Sequence, residues 1–80
     1  MTDQEIERLH QDWLKGHHIE FRKGERHFFA WREGNLQIMC DDGCALKHRV
    51  IETTDDLFDA PFASGTVRGL LRASELEWVY

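Results

Sequence analysis

Long hydrophobic runs are missing from this 80-residue sequence: the longest, Phe28-Phe29-Ala30-Trp31, falls far short of the roughly 20 residues that span a bilayer. The N-terminal stretch is acidic where a secretory leader is basic and then apolar, so neither export nor membrane insertion is expected. Cysteine is scarce too. Two residues, Cys40 and Cys44, are too few to staple a secreted scaffold, which points to two thiols in a reducing, cytoplasmic setting. Basic charge is outnumbered, ten Lys and Arg against fifteen Asp and Glu, and the formal charge of −5 disfavours loose attraction to a phosphate backbone. Serine occurs only as Ser64 and Ser74, neither within G-x-S-x-G, and no Walker or dinucleotide glycine pattern is present. With no catalytic constellation, the chain reads as a non-enzyme without a cofactor.

What is present is the composition of a folded domain. Hydrophobic residues make up 41% and charged residues 31%, and a single proline argues against disorder. A chain this short fits one domain over residues 1–80 and buries only about 60% of its unfolded surface, so its core must be economical.

The clearest element is a helix in TDQEIERLHQDWLKG. Thr2 and Glu5 form a capping box, Ile6, Leu9, Trp13 and Leu14 fall on one face, and Gly16 closes it. Beyond Gly16 the hydrophobic period changes to two. Turn signals at Lys23-Gly24, Glu33-Gly34-Asn35 and Asp42-Gly43 divide the next stretch into strands near 18–22, 26–33, 36–41 and 44–52. Connections this short require an antiparallel meander. Leu36, Ile38 and Cys40 share one face of the third strand, and Leu46, His48 and Val50 one face of the fourth. The second strand is apolar on both sides, which marks a central strand or a second contact surface. Thr54 is placed to cap a short helical piece that Pro61 ends, and Ser64 or Thr66 to start another through Val67, Leu70 and Leu71. The tail alternates, predicting a last strand with Leu76, Trp78 and Tyr80 inward. The expected fold is α+β: an N-terminal helix packed on an antiparallel sheet of four or five strands, with short helical segments before a C-terminal strand.

The stretch Cys40-Asp41-Asp42-Gly43-Cys44 invites a metal or redox reading, with His48 as a further ligand. An Asp-Gly hairpin argues against it. His48 then lies four residues up the strand from Cys44, roughly 13 Å away, too far to share one tetrahedral ion, and C-x-x-x-C is not the usual redox spacing. No metal site is therefore expected.

Two charged regions remain as candidate interfaces. Glu52, Asp55, Asp56 and Asp59 form an acidic arc without a basic residue, and it suits a partner protein with a basic surface. Asp55, Asp56 and Asp59 would supply the charge, with Phe58 or Phe62 as an apolar anchor. Turn and cap duty for the aspartates, and core duty for the two phenylalanines, is the competing explanation. The second region, Phe21 to Arg32, mixes cations with rings. There Arg22, Lys23, Arg26, Trp31 and Arg32 would serve a single-stranded nucleic acid, although the RNA-recognition spacing is not met. The favoured reading is a small acidic module, monomer or homodimer, acting by stoichiometric contact with another protein. Phage-encoded inhibitors of nucleic-acid-handling machines, anti-CRISPR proteins among them, share this size and acidity, an analogy that no residue pattern carries.

Overall fold

In a computed structural model, which describes residues 1–41 and 48–80, the capping box starts the fold. Thr2 Oγ1 accepts the Glu5 N–H at 3.1 Å while a Glu5 carboxylate oxygen accepts the Thr2 N–H at 2.9 Å. Helix α1 then runs Asp3–Leu14 and presents Ile6, Leu9 and Trp13 to the interior. Leu14 departs from expectation: it is 55% exposed, because it is the last helical residue and stands about 100° round the axis from Trp13.

The strands are β1 (Ile19–Lys23), β2 (Arg26–Glu33), β3 (Leu36–Asp41), β4 (His48–Thr53) and, after two minor strands, β7 (Glu75–Val79). They form one sheet in the order β4-β3-β2-β1-β7, every pairing antiparallel. Gly24 and Gly34 each take φ of +61°, the left-handed conformation that a tight hairpin demands, which is why both turns were legible. The Asp42-Gly43 turn and Cys44 lie outside the described residues, as does the first half of the strand expected over 44–52. The described strands on either side are antiparallel neighbours, Asp41 opposite His48 and Cys40 opposite Arg49.

One face of the sheet carries the core. Ile19 and Phe21 of β1, Phe28 and Ala30 of β2, Met39 of β3 and Ile51 of β4 lie beneath Ile6, Leu9 and Trp13 of α1. Phe21 and Phe28, directly opposite in the ladder, stack at 5.1 Å. By area bookkeeping each such side chain contributes about 1.5–3 kcal/mol. The opposite face holds Phe29 and Trp31, half-exposed, beside Cys40 and Ile38, which are buried. Both sides of β2 and β3 are thus in use, and β2 is the central strand that its double-sided apolarity implied.

Two strand faces are corrected. In β4 the buried residue is Ile51, while His48 and Val50 are exposed: the ladder shifts between Met39 and Cys40, so Val50 is passed over and the alternation moves by one. In β7 the tail does not turn inward; Leu76, Trp78 and Tyr80 are all exposed, Trp78 at 62%. That strand is a sheet edge beyond the cover of the core, with a second irregularity opposite Glu20 and Phe21.

Between β4 and β7 the chain closes the core. A 3-10 turn at Leu57–Asp59 buries Leu57 and Phe58, and its cap is Asp56, not Thr54: the Asp56 Oδ1 accepts the Phe58 N–H at 2.9 Å. A small hairpin of β5 (Pro61–Phe62) and β6 (Gly65–Thr66), which the sequence did not announce, turns through Ala63 at φ +53°. Thr66 then caps helix α2 (Val67–Arg72), its Oγ1 accepting the Gly69 N–H. Val67, Leu70 and Leu71 complete the core.

Candidate functional site

The acidic arc follows from the way the 3-10 turn is tied down. Gln37, on β3, reaches under it. Its Oε1 accepts both the Trp13 indole N–H and the Leu57 N–H, each at 2.9 Å, and its Nε2 donates to the Asp55 carbonyl at 2.7 Å. Thr53 Oγ1 accepts the Asp55 N–H at 3.0 Å. The segment leaving β4 is therefore fixed over the end of the sheet, and a groove of about 580 Å³ opens beside it. Val50, Ile51, Ala60 and Pro61 supply its apolar lining; Glu52, Asp55, Asp56 and Asp59 supply its charge, with no Lys or Arg among the lining residues.

The four carboxylates are not equivalent. Asp56 is committed to the fold: besides capping the turn, its Oδ2 lies 2.6 Å from His10 Nε2, and the His10 ring packs 4.6 Å from Phe58. That pair has the form of a base with its orienting carboxylate, but it braces α1 against the turn. Asp59 lies 3.7 Å from Arg68, and Glu52 3.1 Å from Arg49. Both are exposed pairs of the kind that contribute little and exchange readily. Asp55 is exposed, and among the described residues no hydrogen bond or ion pair engages its carboxylate. Asp55 and Asp59 thus stand where the sequence placed them, joined by Glu52, which charge distribution had noted without assigning a role.

The candidate apolar anchors lie in the core or against it. Phe58 is fully buried between Trp13 and Arg68, and Phe62 packs edge-on against Phe28 at 5.8 Å, half-buried in the core margin. The exposed apolar positions of the groove are Val50 and Pro61 instead. Neither could be recognised from sequence, because one depends on a ladder irregularity and the other on where the turn ends.

The basic stretch is dispersed by strand alternation. Arg22 and Trp31 lie on the sheet face away from α1, whereas Lys23, Arg26 and Arg32 belong to the other side. Arg22 is bound to Glu75 at 2.7 Å and Glu77 at 3.1 Å, and these carboxylates, Glu75 first, raise its already high pKa. Arg26 is paired with Asp41 and lies over the Phe28 ring, and Arg32 donates to the Trp13 carbonyl and covers its indole at 4.3 Å. Trp31 lies beneath Arg49, which Glu52 and Glu33 hold more firmly protonated. Arg22, Arg26 and Arg32 are thus engaged within the fold, whereas Lys23 is exposed and has no ion pair among the described residues.

The open face has its own hollow, about 390 Å³, lined by His18, Ile19, Phe29, Ala30, Trp31 and Tyr80. Glu20 accepts the Tyr80 hydroxyl at 2.9 Å there and pushes that phenol above its usual range. Among the described residues no group of three or more His, Cys, Asp or Glu side chains is placed to hold a metal ion, and no helix is long and apolar enough to cross a membrane. Comparison with family models, with curated proteins and with solved structures finds no match for the chain.

Proposed function

We propose that the protein is a binding module that engages a basic segment of another protein in the groove between β4 and the 3-10 turn. The observation that supports this reading is the arrangement of Asp55 at the groove wall: an exposed carboxylate without a cationic partner among the described residues, flanked by the exchangeable Glu52 and Asp59 and set above an apolar lining. A lysine or arginine entering there donates a charge-assisted hydrogen bond to the Asp55 carboxylate, with Val50 and Pro61 lining the same groove. Proteins that grip nucleic acid carry such basic surfaces, so occupation of one by this module would block the phosphates, the inhibitor role that size and acidity first pointed to.

Capture from a host lysate, with the paired variant D55K/D59K as control, tests the site. Wild type should retain a protein that the variant loses while its thermal midpoint stays within a few degrees. Retention by both removes the groove from consideration. Recovery of single-stranded nucleic acid instead, released steeply by salt, would restore the reading built on Arg22, Lys23, Arg26, Trp31 and Arg32.

A further inference from the structure

Among the described residues, strand β4 pairs with β3 on one side and with no strand on the other, and no outward-facing backbone group of His48–Thr53 has a backbone partner. Such an edge is a template for another strand. We infer that the partner segment is an extended peptide with alternating basic residues, added to the sheet at the free edge of β4. The inference rests on the groove reading above and specifies its occupant.

Three features converge on it. The ladder irregularity at Val50 would deter pairing there, but Ile51, Glu52 and Thr53 pair in unbroken register with Met39, Ile38 and Gln37, so the part of β4 beside the groove is regular strand. The groove runs along that part, with Pro61, Ala60 and Asp59 forming its far wall, and alternate side chains of an added strand would enter it. Charge then chooses which ones. Asp55 and Asp59 select Lys or Arg on the groove side, and a slip of one residue would turn those cations away and forfeit the attraction. The regular stretch Ile51–Thr53 offers about 10 Å of edge to an added strand.

The other edge, β7, lacks this combination. Its carboxylates Glu75 and Glu77 are bound to Arg22, and only a dent of about 120 Å³ lies beside its Leu76.

A nine-residue peptide alternating lysine and threonine, blocked at both ends, is the probe, titrated into the intact protein at about 0.15 M salt and followed by amide resonances and amide hydrogen exchange. Its backbone-N-methylated counterpart keeps every side-chain charge and removes every backbone N–H donor. The parent peptide should bind, slow amide exchange within His48–Thr53, and lose at least tenfold in affinity on N-methylation. It should lose as much against D55K/D59K. Equal binding of the methylated peptide would overturn strand addition and leave the acidic groove standing. Protection over Glu75–Val79 in place of β4 would overturn the choice of edge. Absence of binding, or equal binding to D55K/D59K, would overturn strand addition together with the groove itself.

Discussion

On the helix-bearing face of the sheet Phe21, Phe28, Ala30, Met39 and Ile51 meet Ile6, Leu9 and Trp13, and water is excluded. On the opposite face Phe29 and Trp31 stay partly wet, and the named contacts are ionic: Arg22 with Glu75 and Glu77, Arg49 with Glu33 and Glu52. Both faces come from the same alternating strands, and they differ in what holds them. The covered face draws on apolar area and close packing, which salt does not weaken. The open face, apart from the buried Ile38 and Cys40, carries exposed ion pairs that bring solubility and register more than stability. Stability and recognition therefore reside in different side chains, and substitutions should separate them.

The sharpest separation is between two tryptophans. Trp13→Ala should cost about 3–5 kcal/mol in urea unfolding, since it empties the middle of the core, whereas Trp78→Ala on the open edge should change stability by less than about 0.5 kcal/mol. Comparable losses would mean that the open face is covered in solution. Next comes Gln37→Leu. It leaves the Leu57 N–H and the Trp13 indole N–H without their acceptor and should cost about 1–3 kcal/mol, while Gln37→Glu retains the acceptor and should cost less. Asp56→Ala removes a cap and the His10 contact; a loss of about 0.5–2 kcal/mol is expected, with Asp56→Asn recovering most of it.

The smallest effects are titrations of exposed groups. The protein has one tyrosine, so its phenolate absorbance reports Tyr80 alone. It should titrate above 10.0 because Glu20 accepts its hydroxyl, and Glu20→Ala should return it toward that value. A raised acid pKa means that the bond's contribution is complete below the ordinary value and is lost as pH climbs through the raised one. Glu5 behaves in the opposite sense. The Thr2 N–H it accepts in the capping box holds its carboxyl below 4.5, so its contribution is present above 4.5 and is lost as pH falls through the lowered value. Glu5→Gln, which preserves the acceptor without the charge, should flatten the acid limb of the stability profile.

Local chemistry made most of the architecture legible. Thr2 with Glu5, the left-handed glycines 24 and 34, and the period-two runs each act over a few residues, and α1, β1, β2 and β3 emerged within a residue or so of their bounds. Misreadings arose where tertiary pairing overrides alternation. Val50 and the tail residues Leu76 and Trp78 obey a period-two pattern, yet each lies beside a ladder irregularity, which no sequence pattern reveals. The acidic residues were recognisable as a charged arc, but their separate roles were not. Asp56 became a cap and Asp55 an open carboxylate only because Gln37, some twenty residues earlier, grips the turn between them.

That grip ties the groove to the helix. The same amide that positions the Asp55 carbonyl also anchors the indole at the centre of α1 packing, so the loop cannot wander while the helix is seated. Most of the ordering entropy of the recognition element is therefore settled when the chain folds, leaving little to be lost on encounter. The same linkage constrains evolution of the site: any change that loosens the Gln37 clasp to admit a bulkier guest also erodes the helix seat beneath it.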